Sequence, residues 1–237
     1  MLVAAAVCPC PPLLVPEVAA GAAPELEPVR RSCAEALGVL AAARLDRLLV
    51  IGPAGPDEAG PAPAGTPGSF RGFGVDLTVR LGSGDAPPGG RELPASLAVG
   101  AWLLEHVGWS AAPVDGLAID RTMSTGDCVA TGRDIASRAG RLGLLVMGDG
   151  SICRSLTAPG HLDERAAGFD AAVARALGDA DTAALAALDP GPAAELGAEG
   201  RPCWQVLAGA GEGVRLAGQL LHDEALYGVA YLTAVWS

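Results

Sequence analysis

The chain has 237 residues, half of them hydrophobic and 18% charged, which suits one domain spanning 1–237 with a sizeable core and excludes a disordered chain. Its formal net charge is −11, and all 16 basic residues are Arg with no basic run among them; the electrostatic footprint of a nucleic-acid binder is missing. No apolar stretch reaches the roughly 20 residues of a membrane helix, and no phosphate loop or dinucleotide fingerprint occurs, so neither a membrane nor a nucleotide cofactor is expected.

Leu2 to Val7 is a continuous apolar run, expected as a central strand covered on both faces. It lacks the positive flank of a secretion leader and meets Cys8-Pro9-Cys10-Pro11-Pro12 too early for one. The six cysteines are therefore expected as thiols or metal ligands of a cytoplasmic protein. A helix is predicted over 22 to 42, with Leu26, Val29, Cys33, Leu37 and Leu40 on one stripe. Arg47 to Ile51 is the second buried strand, followed by a Pro/Gly/Ala loop from Gly52 to about Gly68. Phe70 to Leu81 alternates as a half-exposed strand would. Beyond a second loop, 82 to 90, come a helix near 94 to 107, a strand from Val114 to Ile119 and a helix around 126 to 139. Leu142 to Met147 is another fully apolar strand, ending in Gly148-Asp149-Gly150-Ser151. Helices fill 163 to 213 with a break at Asp189-Pro190-Gly191-Pro192, and Val214 to Leu221 and Tyr227 to Val235 close the chain as strands. Buried strands alternating with helices predict an α/β fold, a three-layer sandwich around a mostly parallel or mixed sheet. In such folds ligands bind beyond the carboxyl ends of the strands, where Cys8 to Pro12, Gly52 to Pro56 and Gly148 to Cys153 would converge.

Those segments also carry a family resemblance. Ala6-Val7-Cys8-Pro9-Cys10-Pro11-Pro12-Leu13-Leu14-Val15-Pro16-Glu17 is similar to the V-P-H-P-P-L-L-V-P-E opening of the LigB-like family of class III extradiol ring-cleavage dioxygenases and of the related Memo proteins. Leu49-Val50-Ile51-Gly52-Pro53-Ala54-Gly55 resembles their strand ending in S-P-H-G, and Met147-Gly148-Asp149-Gly150-Ser151 resembles G-D-L-S-H. Ala158-Pro159-Gly160 through Phe169-Asp170 is similar to the stretch that follows. Glu199-Gly200-Arg201-Pro202 resembles the segment that supplies the last metal ligand, and Tyr227-Gly228-Val229-Ala230-Tyr231-Leu232 the closing F-G-V-x-Y strand. The likeness runs in order through nearly the whole chain.

The resemblance implies a site at the sheet's carboxyl edge. In active members two histidines and a carboxylate hold Fe(II) on one face, leaving room for a catecholate and dioxygen, and a further His serves as acid/base. Here the first His position holds Cys10, the second Ala54, and the one after Gly-Asp-x-Ser holds Ile152 or Cys153; only Glu199 matches the carboxylate. The candidate metal ligands are Cys10, Glu199, Cys153 and Cys8, with Cys203 able to complete the shell. Thiolates favour Zn or Cu over iron, so a single divalent or soft ion (Fe, Zn or Cu) stays open. The plainer alternative is that these cysteines are small buried hydrophobes. The candidate catalytic residues are Asp149, whose flanking glycines permit close approach to a ligand, Ser151, and His161 in the following loop. Each has a structural alternative as a turn, cap or solvated residue. Arg201 would pair with a carboxylate or an anionic ligand. His106, His222, Trp204 and Trp236 read as structural.

The expectation is thus a LigB-like protein with a degenerate non-haem iron site, binding a metal or small molecule through Cys and Glu with altered chemistry. Two alternatives stand beside it. One is an inactive scaffold or oligomer-forming protein, contacting a second copy or a partner subunit through 70 to 81 or an edge at Tyr227 to Trp236. The other is a metal-dependent oxidoreductase that still cleaves aromatic rings.

Overall fold

In the computed structural model, which describes residues 1–85 and 89–237, the opening apolar run is strand β1 (Leu2–Cys8). A 3-10 turn (Pro12–Leu14), one helical turn α1 (Pro16–Ala19) and a 3-10 stretch (Ala20–Leu26) lead to α2 (Glu27–Ala42). The predicted start at 22 is too early. Pro24 lies inside the 3-10 stretch and Pro28 sits in the first turn of α2, where a missing N–H is tolerated. Then follow β2 (Arg47–Ala54), β3 (Gly60–Ala62), β4 (Pro67–Ser69), β5 (Thr78–Arg80), α3 (Ala95–His106) and β6 (Val114–Asp120). The second half runs α4 (Thr125–Arg138), β7 (Leu142–Met147), α5 (Glu164–Gly178), α6 (Thr182–Ala186), α7 (Pro190–Glu195), α8 (Arg201–Gly211), β8 (Gly218–Leu226) and β9 (Val229–Trp236).

Seven strands form one mixed sheet in the order β3-β6-β2-β7-β1-β9-β8. The four central strands β6, β2, β7 and β1 are parallel, and β3, β9 and β8 add antiparallel neighbours at the two sides. Helices cover both faces. On β1, Ala4, Ala6 and Cys8 pack with α2 and α3, while Ala5 and Val7 pack with α5 and α8, the period-2 alternation a doubly covered strand requires. This is the three-layer α/β sandwich that the pattern predicts. Among the described residues no helix is long and apolar enough to cross a membrane.

Several local expectations fail for physical reasons. The stretch 70 to 81 is not one strand. Phe70 N–H donates to the Leu77 carbonyl at 2.9 Å and Arg71–Phe73 makes a 3-10 turn, so the segment folds back as a hairpin and only Thr78–Arg80 is a strand, paired with β4. The predicted loop 82 to 90 lies partly outside the described residues. Asp189-Pro190-Gly191-Pro192 opens a helix rather than breaking one: Asp189 caps the Gly191 N–H and Pro190 occupies the first turn of α7. The first closing strand begins at Gly218, not Val214. Tyr227 to Trp236 is no free edge either, because β9 lies between β1 and β8. The expected free edge at Tyr227 to Trp236 is therefore corrected to an interior strand, and the expected strand at 70 to 81 to a hairpin.

The closest helix packing joins α4 to α8. A Cβ on Gly132 would collide with the Val206 carbonyl oxygen, and one on Gly209 with that of Val129. Backbone meets backbone there. This contact fixes the start of α8, which borders the site.

Candidate functional site

Parallel pairing sets the carboxyl ends of the four central strands side by side: Cys8 is level with Met147, Ile51 with Val146, and Ala54 with Asp120. The segments leaving these ends meet. Gly148 N–H donates to the Cys8 carbonyl at 3.0 Å, and Arg121 N–H to the Ala54 carbonyl at 3.0 Å. Gly200, at the start of α8, donates to the Asp149 carbonyl at 3.0 Å. A Cβ on Gly148 would lie 2.5 Å from the Gly200 Cα, so this approach requires glycine.

Asp149 is at the centre. Its Oδ1 accepts from the Cys10 N–H at 2.8 Å, and its Oδ2 stands 3.9 Å from the Cys10 Sγ. The residue keeps some exposure, but protein surrounds the carboxyl closely. Desolvation, opposed by the Cys10 N–H and reinforced by Glu199, pushes its pKa up to about 7. Burial, with Asp149 beside it, pushes the Cys10 thiol well above its ordinary value. Tyr231 comes from the other side on β9 and is 1% exposed. Burial, then the nearness of Asp149 and Cys10, raise its phenol as well.

Glu199 lies next to this group and is held by Arg121, whose Nη1 is 2.6 Å from its Oε1; both side chains are nearly half exposed. Arg121 and Glu199 also line a cleft of about 350 Å³, walled by Pro190, Ala193, Ala194 and Ala198. Arg201 is buried and spends its guanidinium on the Met123 and Arg121 carbonyls and on Gln205.

The other predicted residues lie elsewhere. Cys8 and Cys10, two apart, share the α2 side of the sheet, and Cys8 faces Cys33; that thiol and burial push its own thiol up. Cys153 does not join Cys10 and Glu199: it packs with Ala166 and Leu196, its Sγ 3.5 Å from the Gly160 carbonyl. Ser151 is fully buried and donates to Asp170 Oδ2 at 2.6 Å, while Arg154 reaches the same oxygen at 3.0 Å. That is a structural anchor for the loop after β7. Asp170→Ala is expected to lower stability by about 3 kcal/mol in urea unfolding, because it strands Ser151 and the half-buried Arg154. His161 is exposed, at φ 58° in a tight turn, where its N–H donates to the Ala158 carbonyl.

Sequence reasoning missed Arg121 and Tyr231. Arg121 directly follows β6, so extending the rule about carboxyl strand ends to a fourth strand would have found it. Tyr231 stands in the closing strand, but its place at the site follows from β9 pairing with β1, which no local pattern reports.

These donors do not fit a ferrous oxygen-activating centre. Ala54 offers no ligand atom, Glu199 is engaged by a guanidinium, and no imidazole enters the group. Among the described residues no three of His, Cys, Asp and Glu gather as a metal-binding set.

No family model matches the chain, and no curated protein matches it. Among solved structures it is similar to an uncharacterized protein, JW3007, of Escherichia coli K12, with a TM-score of 0.60 and 15% identity over 99% of this chain and 99% of that chain. At that identity the likeness shows the fold alone: the two chains share one α/β architecture from end to end.

Proposed function

We propose that this protein is a divergent LigB-like protein whose iron site has degenerated into a binding cleft for a small molecule at the carboxyl edge of the sheet, with chemistry other than ring cleavage. The observation that carries the reading is the meeting of Cys10, Asp149, Glu199 and Arg121 beside a cleft of about 350 Å³. The collinear motifs support the family, and the substitution of Ala54 and Cys10 for histidines supports the altered chemistry. A carboxyl group between its charged and neutral forms near neutral pH is a group suited to orient a ligand or exchange a proton with it.

Metal analysis and oxygen uptake test this. The purified protein is expected to carry iron well below one ion per chain and to consume no oxygen when catechols are added. One iron per chain with catechol-dependent oxygen uptake would replace the proposal with an active dioxygenase.

A further inference from the structure

We propose that the cleft beside Glu199 takes a small monocarboxylate. Its carboxylate sits on the guanidinium groups of Arg201 and Arg121, and its compact apolar body lies against Pro190, Ala193 and Ala194. The inference rests on the cleft reading above and names its ligand class. Three observations carry it, all on residues that line the cleft.

The first is a buried cation without a counter-charge. Arg201 lines the cleft and is 4% exposed. Its guanidinium donates to the Met123 carbonyl at 2.7 Å, the Arg121 carbonyl at 3.0 Å and the Gln205 Oε1 at 3.0 Å. The Cys128 sulfur stands 3.8 Å away, and burial pushes that thiol up to about 11, so it supplies no negative charge near neutral pH. No carboxylate is among these partners. A guanidinium keeps its proton, and a buried charge ordinarily meets an opposite one. Gln205 is itself fixed by the Leu188 carbonyl at 2.9 Å, which holds the fork in place. The fork has more N–H donors than the three oxygens that engage it, which leaves part of it for a ligand oxygen.

The second is the charge of the lining as a whole. Its charged side chains are Arg121, Arg201 and Glu199. Glu199 answers Arg121 at 2.6 Å, so one positive charge stands over in a protein whose net charge is −11. One carboxylate neutralises it, whereas an ammonium would meet two guanidinium groups. The third is the wall, where Pro190, Ala193, Ala194 and Ala198 enclose about 350 Å³. Such walls receive an apolar body and leave a hydroxyl-rich one without partners.

Calorimetric titration of the full chain with benzoate, benzamide and benzylamine, probes of similar shape and different charge, tests the idea. Benzoate is expected to bind saturably and more tightly than either control. Arg201→Met should weaken it by about tenfold or more, with thermal unfolding reporting whether the variant folds. Glu199→Gln, at a half-exposed position, keeps the test decisive if it does not. Removing the carboxylate that competes for Arg121 should tighten benzoate by about two- to fivefold, a gain that a merely structural role for Glu199 would not produce. Benzoate binding that Glu199→Gln leaves unchanged or weakens overturns the assignment. If benzamide or benzylamine binds as well as benzoate or better, the carboxylate assignment falls while the cleft reading stands. No binding by any probe removes both.

Discussion

Gly209→Ala is expected to lower stability by about 3 kcal/mol or more, a fall in Tm of roughly 6–12 °C for a chain of this size. A glycine-to-alanine change inside a helix ordinarily stabilises by about 0.5–1 kcal/mol, since alanine has less backbone entropy to lose. At the α4–α8 crossing that gain is overwhelmed. The new methyl would enter the Val129 carbonyl, and neither backbone can yield without parting the helices. Gly132→Ala, which meets the Val206 carbonyl across the same contact, should behave alike. The control is Gly168→Ala on the exposed side of α5, where a Cβ meets nothing within 4 Å; it should raise stability by about 0.5–1 kcal/mol. Urea unfolding of the three variants gives the comparison. Equal effects at 209 and 168 would mean that the helices do not cross as closely as described. Because α8 starts beside Glu199, the 209 variant should also weaken whatever binds in the cleft.

The second large effect is on pH dependence. The Asp149 carboxyl is raised to about 7 in the folded protein, against about 3.9 for an unfolded aspartate. Its charged form is disfavoured by folding, so its full contribution to stability is present below the unfolded value. That contribution is lost progressively as pH rises from about 4 through 7. The loss is about 2–4 kcal/mol once the remaining solvent exposure is allowed for. Asp149→Asn removes this titration while its side-chain oxygen can still accept from the Cys10 N–H. The variant should match the wild type near pH 4 and exceed its stability at pH 8. Subtracting the two urea-derived profiles cancels every other titrating group. A flat difference across that range would show that the carboxyl is solvated as freely as one on the surface.

The strands whose residues are apolar on both faces, Leu2–Cys8, Arg47–Ala54 and Leu142–Met147, were legible because burial on two sides leaves no room for alternation. The amphipathic α2 was legible for the complementary reason. The 70 to 81 segment misled because a hairpin with two buried anchors, Phe70 and Val79, imitates the alternation of one strand. The role of Pro190 misled because proline opens a helix as readily as it ends one. At the site, Cys10, Asp149 and Glu199 were readable as segments facing one edge. Their partners were not, since the Arg121–Glu199 pair spans 78 residues and Tyr231 arrives through a strand pairing between opposite ends of the chain. Cys153 shows the converse: proximity in sequence to Asp149 did not survive a loop whose direction is set by Ser151 and Asp170.

Strand β1 is flanked by β7 and β9, so that Leu2 adjoins Leu142 and Ala5 adjoins Trp236. Neighbours so remote along the polypeptide must close large loops before either pairing is rewarded, which slows folding. During synthesis the binding region therefore stays incomplete until β9 has emerged, when the strand bearing Tyr231 docks against the earliest one made. A ribosome-bound chain stalled before that strand would hold every described helix and the residues that line the cleft, but not the Tyr231 that closes the group around Asp149.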